Sequence, residues 1–129
     1  MCGFIILLGV FICSPITSFF ALLGSTIGAL SGIALGASPD AVYAGLWGFN
    51  TTLTTVAIGG MFFIMNRFGT FVYTIIAGML TTIVFGACKT IAGTFGVPTL
   101  TFPFCFVSWI FCLAGMSVGC VFPVLITAI

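Results

Sequence analysis

The chain has 129 residues, 62% of them hydrophobic, and its only charged side chains are Asp40, Arg67 and Lys89. A water-soluble fold needs far more charged surface than that. With about 20 apolar residues needed per crossing, the near-continuous apolar sequence predicts an all-α, polytopic integral membrane protein of four or five spans, embedded in a lipid bilayer.

No histidine is present and the six cysteines form no CxxC pair, so the sequence offers no metal set and no Cys-His dyad. The cysteines read as small apolar packing residues. A single carboxylate cannot supply the paired groups of acid-base catalysis, so the expectation is no enzyme and no cofactor. Two cations in the whole chain give no footprint for nucleic acid. Sixteen phenylalanines against two tyrosines and two tryptophans depart from the Trp/Tyr belt of a lipid interface, which directs some of the phenyl rings inward.

In chain order, the first predicted span covers 1–13, with no basic stretch ahead of it to mark a cleavable leader. Ser14-Pro15 combines a capping hydroxyl with a proline suited to the first helical position, and so opens a second span over 15–37. That span places Gly24, Gly28, Gly32 and Gly36 one turn apart on one face, a groove for close approach of another helix. Pro39 and Asp40 mark a polar loop or a re-entrant segment, with Asp40 the predicted cap of a short helix over 41–48.

The third predicted span, 41–65, contains "GLWGFNTTLTTVAIGG". Phe49, Leu53, Val56 and Gly60 form one helical stripe, while Asn50, Thr51, Thr52, Thr54 and Thr55 put five polar residues into six positions. Two readings are open for that patch: hydrogen-bonding glue between helices, or a wall facing something polar. Asn66, Arg67 and Gly69 form the next turn, and a fourth span follows over 70–92, ending near Lys89. Pro98 and Pro103 in "VPTLTFPF" break the chain before a last span over 98–128, in which Pro123 predicts a kink. Breaks at 45–50 and 97–104 within a bilayer leave backbone groups that only protein or a watery cavity can satisfy, the way permeation sites are commonly built. Thr101 and one or two carbonyls near Pro103 would suit an uncharged solute rich in N–H donors. Arg67 and Lys89 fall on opposite sides of the membrane and leave orientation unassigned.

Three blocks resemble the urea transporter family. "GLWGFNTTLTTVAIGGMF" (45–62) is similar to its G-L-x-G-[FY]-N-[ST]-x-L-x-x-I-A-[IM]-G-G-M-F block, and "GVPTLTFPFCFVSWIF" (96–111) to its L-P-x-x-T-x-P-F-C motif. "SPITSFFALLGSTIGALSGIAL" (14–35) resembles its S-P-x-x-x-x-x-A-x-x-G-S-x-x-G segment. The resemblance implies passive urea permeation between phenylalanine rings along a ladder of backbone carbonyls, in a multi-pass protein of the plasma membrane. It implies Phe49 and Leu53 as slot residues of one half-pore and Thr101 as the threonine at the constriction. Family members join two halves in an inverted repeat, and this chain matches only the second, which predicts a half-length or truncated form. It would be completed by a complementary half or by a second, oppositely oriented copy. The alternative is a non-transporting structural or regulatory membrane protein that associates with a full-length transporter through the glycine face at 24–36.

Overall fold

The computed structural model describes residues 2–62 and 68–118. The described chain is all-helical: α1 (Cys2–Cys13), α2 (Pro15–Ala34), the short α3 (Pro39–Tyr43), α4 (Leu46–Val56) continuing into a π-helical segment (Ala57–Phe62), α5 (Phe68–Phe95) and α6 (Phe102–Val118). Arg67, Asn66 and Pro123, to which the sequence assigned a turn and a kink, lie outside the described residues. Gly69, expected in that turn, sits in the first turn of α5.

Capping follows local chemistry. Ser14 accepts from the backbone N–H of Thr17 at 3.4 Å while Pro15 occupies the first helical position of α2. The other end of α2 closes through Gly36 at φ +74, where the Gly36 N–H donates to Ile33 and the Ala37 N–H to Gly32, the bond pattern that a left-handed residue makes possible. Asp40 is not a cap. Ser38 occupies that position ahead of Pro39, and Asp40 sits inside the first turn of α3, where its charge still suits the positive end of a helix.

Packing is inverted relative to a soluble protein. The interior holds Ser18, Asn50, Thr51, Thr54, Thr55, Thr74, Thr81, Thr82 and Ser108, whereas Val72, Ile76, Met79, Leu80 and Ile83 line the outer surface of α5. An arrangement with hydroxyls inside and hydrocarbon outside is stable where the surrounding medium is itself apolar and the inner hydroxyls are bonded, as those of Thr51, Thr54, Thr55, Thr74, Thr81 and Thr82 are. Among the described residues two helices, Pro15–Ala34 and Phe68–Phe95, are long and apolar enough to cross a membrane. The fold is a membrane-associated helical one with discontinuous helices.

The glycine face of α2 is used within the chain. A Cβ on Gly28 would fall 2.8 Å from the Gly48 Cα and from the Trp47 carbonyl, one on Gly24 would fall 2.7 Å from the Thr52 Cα, and one on Gly32 would meet the Trp47 ring at 3.0 Å. α4 therefore fills the groove. The expectation that this face docks a separate transporter is corrected accordingly: Gly24, Gly28 and Gly32 are buried against α4, and of the four glycines Gly36 alone stays exposed.

Candidate functional site

Two interruptions of the helical chain meet at one cleft. The first lies between α3 and α4, where Gly45 takes φ +74, a conformation that costs L-residues sterically. Its carbonyl accepts from the Phe49 N–H at 3.0 Å and starts the new helix. The second runs from Gly96 to Thr101. Gly96 at φ +67 ends α5 through Val97 N–H to Ala92 O and Gly96 N–H to Gly93 O. Pro98 follows, and the chain re-enters helix at Phe102 with Pro103 in the first turn, where its missing N–H is not needed.

Between these interruptions lies a half-open cleft of about 1080 Å³. Phe49 and Leu53 of α4 form part of its wall, facing Val97, Pro98, Thr99 and Leu100, while Phe85 and Lys89 of α5 close another side. Of the residues the sequence singled out, Phe49 and Leu53 thus share a cavity with the proline-broken segment. Thr101 sits one residue beyond the lining stretch, exposed, with its carbonyl accepting from the Cys105 N–H at 3.1 Å. The stripe of Phe49, Leu53, Val56 and Gly60 does not continue along the wall. The π-helical segment from Ala57 rotates the chain, and Gly60 packs near Thr17 instead.

The threonine patch divides by face. Thr51 and Thr82 share a hydrogen bond at 2.9 Å, Thr81 donates to Thr54 at 2.9 Å, and the Thr55 hydroxyl lies 3.0 Å from the Phe20 carbonyl. These three bind α4 to α5 and α2, which is the glue reading. Interhelical bonds of this kind contribute about 0.6 kcal/mol each in membranes. Thr52 alone of the four threonines lines the cleft.

Phe85 lines the cleft without having been singled out in the sequence, whereas Asn50 belongs to the polar patch already noted and Lys89 to the end of the fourth predicted span. Asn50 is 1% exposed and its amide Nδ2 donates to the Leu100 carbonyl at 3.0 Å, across fifty positions of chain. Leu100 is the one non-glycine residue with positive φ (+36) among those described, so the second break carries strain that the Asn50 amide helps hold. Trp47 is buried between Gly32 and Gly86, meets the Phe85 ring edge-on at 5.2 Å, and lies beneath the Lys89 ammonium at 5.6 Å. A cation over an indole face is attracted by the ring quadrupole, which stations Lys89 at the cleft. The signal for Trp47 available beforehand was a single tryptophan in the segment 45–60.

Among the described residues no group of three or more His, Cys, Asp or Glu gathers to hold a metal. Cys13, Cys88, Cys105 and Cys112 are free thiols. The carbonyls of Val97 and Pro98 accept no hydrogen bond from a described residue. The cleft is lined mainly by apolar side chains, with Asn50, Thr52, Thr99 and Lys89 among its polar members and no carboxylate.

Comparison with known sequences assigns this helical fold with its broken helices to a family. Residues 1–116 match the urea transporter family, and the chain belongs to that family, a family of transport proteins rather than enzymes. It is 33% identical over 111 residues to urea transporter 1 of Ovis aries and 35% identical over 112 residues to urea transporter 1 of Rattus norvegicus. In both alignments 86% of this chain is covered but only 29% of the relative. Urea transporter 1 of Mus musculus is 34% identical over 111 residues, with 28% of its length covered.

Proposed function

We propose that this chain supplies one wall and one broken-helix loop of a slot through which urea crosses a membrane passively, as one half of the two-repeat transporter fold. The observation that supports the reading is the meeting of Phe49 and Leu53 with residues 97–100 in one cleft. A flat dipolar molecule lies well against a phenyl face, and its N–H groups match the unpartnered carbonyls of Val97 and Pro98. A hydrated cation fares worse. No carboxylate lines the cleft and Lys89 does, so an ion would lose water without compensation. Thr101, at the start of α6, stands as the constriction threonine by resemblance.

The cleft is open on one side, and the chain spans less than a third of the relatives named above. On this reading a complete slot takes a complementary half, either a second copy in inverted orientation or another transporter segment, in a multi-pass assembly of the plasma membrane. The alternative reading is a non-transporting protein that associates with full-length transporters by a surface other than the α2 glycine groove.

Proteoliposomes separate the two. Stopped-flow light scattering on vesicles carrying the pure chain should register urea entry above protein-free vesicles. Phe49→Ala should change that rate about tenfold, equivalent to ~1.4 kcal/mol. Absence of entry, with co-purification of a full-length transporter, would establish the non-transporting reading instead.

A further inference from the structure

Among the described residues, Lys89 is the one charged side chain lining the cleft. Its ammonium stands over the Trp47 ring, 5.6 Å from the centroid, and that ring is wedged in place. A Cβ on Gly32 would meet the indole at 3.0 Å, one on Gly86 would meet its far edge at 3.3 Å, and the Phe85 ring abuts it edge-on. No acid neutralises the charge at the cleft. Asp40 carries the chain's single side-chain carboxylate and is not among the lining residues. The ammonium also keeps accessible surface. The buried side-chain polar atoms left unbonded are Trp47 Nε1, Asn50 Oδ1 and Ser108 Oγ, and the half-buried Lys89, which makes no hydrogen bond among the described residues, is not one of them. The facing walls, with Phe49, Leu53, Val97 and Leu100, are apolar, and low-dielectric walls focus the field of a charge into the space between them.

We infer that Lys89 is the charge-selecting residue of the cleft, admitting a neutral amide and turning away the same flat shape when it carries a positive charge. This rests on the transport reading for the identity of the solute and goes beyond it in naming the residue that separates urea from its cationic isostere, guanidinium. Shape cannot make that separation, because both molecules are planar with three substituents on one carbon. Hydrogen bonding works in the wrong direction. Guanidinium carries more N–H donors than urea, and carbonyl acceptors bond a charged donor more strongly than a neutral one. Repulsion must therefore supply the discrimination, and it acts through space, so the solute need not touch the lysine. At an effective dielectric constant of about 20, a unit charge about 10 Å from another shifts an equilibrium by about tenfold.

Two ratios test the assignment. In proteoliposomes holding equal guanidinium inside and out, exchange of labelled guanidinium moves no net charge and can be measured beside urea entry. Lys89→Met, which keeps the length and removes the charge, should raise the guanidinium-to-urea rate ratio about tenfold, and Lys89→Arg, which keeps the charge, should hold the wild-type ratio. The second ratio needs no transport. Val97 is exposed on the wall of the cleft, so Val97→Cys places a thiol there whose reaction with anionic and cationic methanethiosulfonates can be followed at that residue by mass spectrometry. The anionic-to-cationic rate ratio should fall about tenfold when Lys89→Met is added. If urea crosses but Lys89→Met leaves either ratio unmoved, or Lys89→Arg moves the first as far, the inference fails and the transport reading stands. If the thiol ratio falls while no urea entry is measured, Lys89 still sets the charge preference of the cleft and the transport reading falls. If neither is seen, both are overturned.

Discussion

Trp47, Thr51, Thr54 and Thr55 occupy one side of α4, Phe49, Thr52 and Leu53 another, and the two sides obey different rules. On the first, small residues of α2 bring backbones close and every threonine hydroxyl bonds within the protein. On the second, Phe49 is 54% exposed and stands over open space. The polar residues of this helix thus mostly serve its attachment, and the apolar ones serve the cavity. In water the reverse would be expected. In hydrocarbon, attachment must come from fit and hydrogen bonds because burying apolar surface gains nothing, which leaves apolar side chains free to shape a passage.

Substitutions can break that contrast. The largest effect is expected from Gly28→Leu on the attached side. Its Cβ would already meet Gly48 and Trp47 backbone at 2.8 Å, and backbone cannot yield cheaply, so unfolding in detergent should cost about 3 kcal/mol less, read from the midpoint of an SDS titration. Phe49→Ala on the open side should do the opposite, altering urea flux about tenfold, ~1.4 kcal/mol, while the SDS midpoint barely moves. Thr81→Val sharpens the comparison with a smaller change. Loss of its bond to Thr54 should lower stability by about 0.6 kcal/mol, and a double-mutant cycle with Thr54→Val should show the two losses to be the same one. Leu100→Gly should be smallest and of opposite sign. Relief of the left-handed backbone, offset by the added freedom of glycine in the unfolded chain, leaves a gain of about 0.5 kcal/mol in the same titration.

Features written in neighbouring residues were legible in the sequence. Ser14-Pro15 announced its helix start, and Pro98 with Pro103 announced the second break, because caps and proline act within a few positions. Asp40 misled for an equally local reason: Ser38-Pro39 just ahead of it offers the same capping chemistry one turn edge earlier. The glycine periodicity of α2 declared a packing face but not its occupant, since nothing within α2 encodes the arrival of α4. Least legible were features set by tertiary demand. The π-helical widening at Ala57–Phe62 has no proline or charge to flag it. The positive φ of Leu100 falls on a residue type that does not favour it, and its hydrogen-bond partner lies fifty positions away. Of the candidate site, the phenyl and leucine of the wall could be named from one motif and Asn50 stood in the polar patch beside them, whereas the bond that ties Asn50 to Leu100 could not be foreseen.

The inverted interior has a consequence for endurance. Concentrated urea undoes ordinary proteins by solvating the greasy and peptide surface that opens into water. Here much greasy surface already faces outward into oil, and the threonine hydroxyls of α4 are bonded to neighbouring hydroxyls or backbone carbonyls where the denaturant has little access. A scaffold so assembled would tolerate the very compound that its family is named for handling.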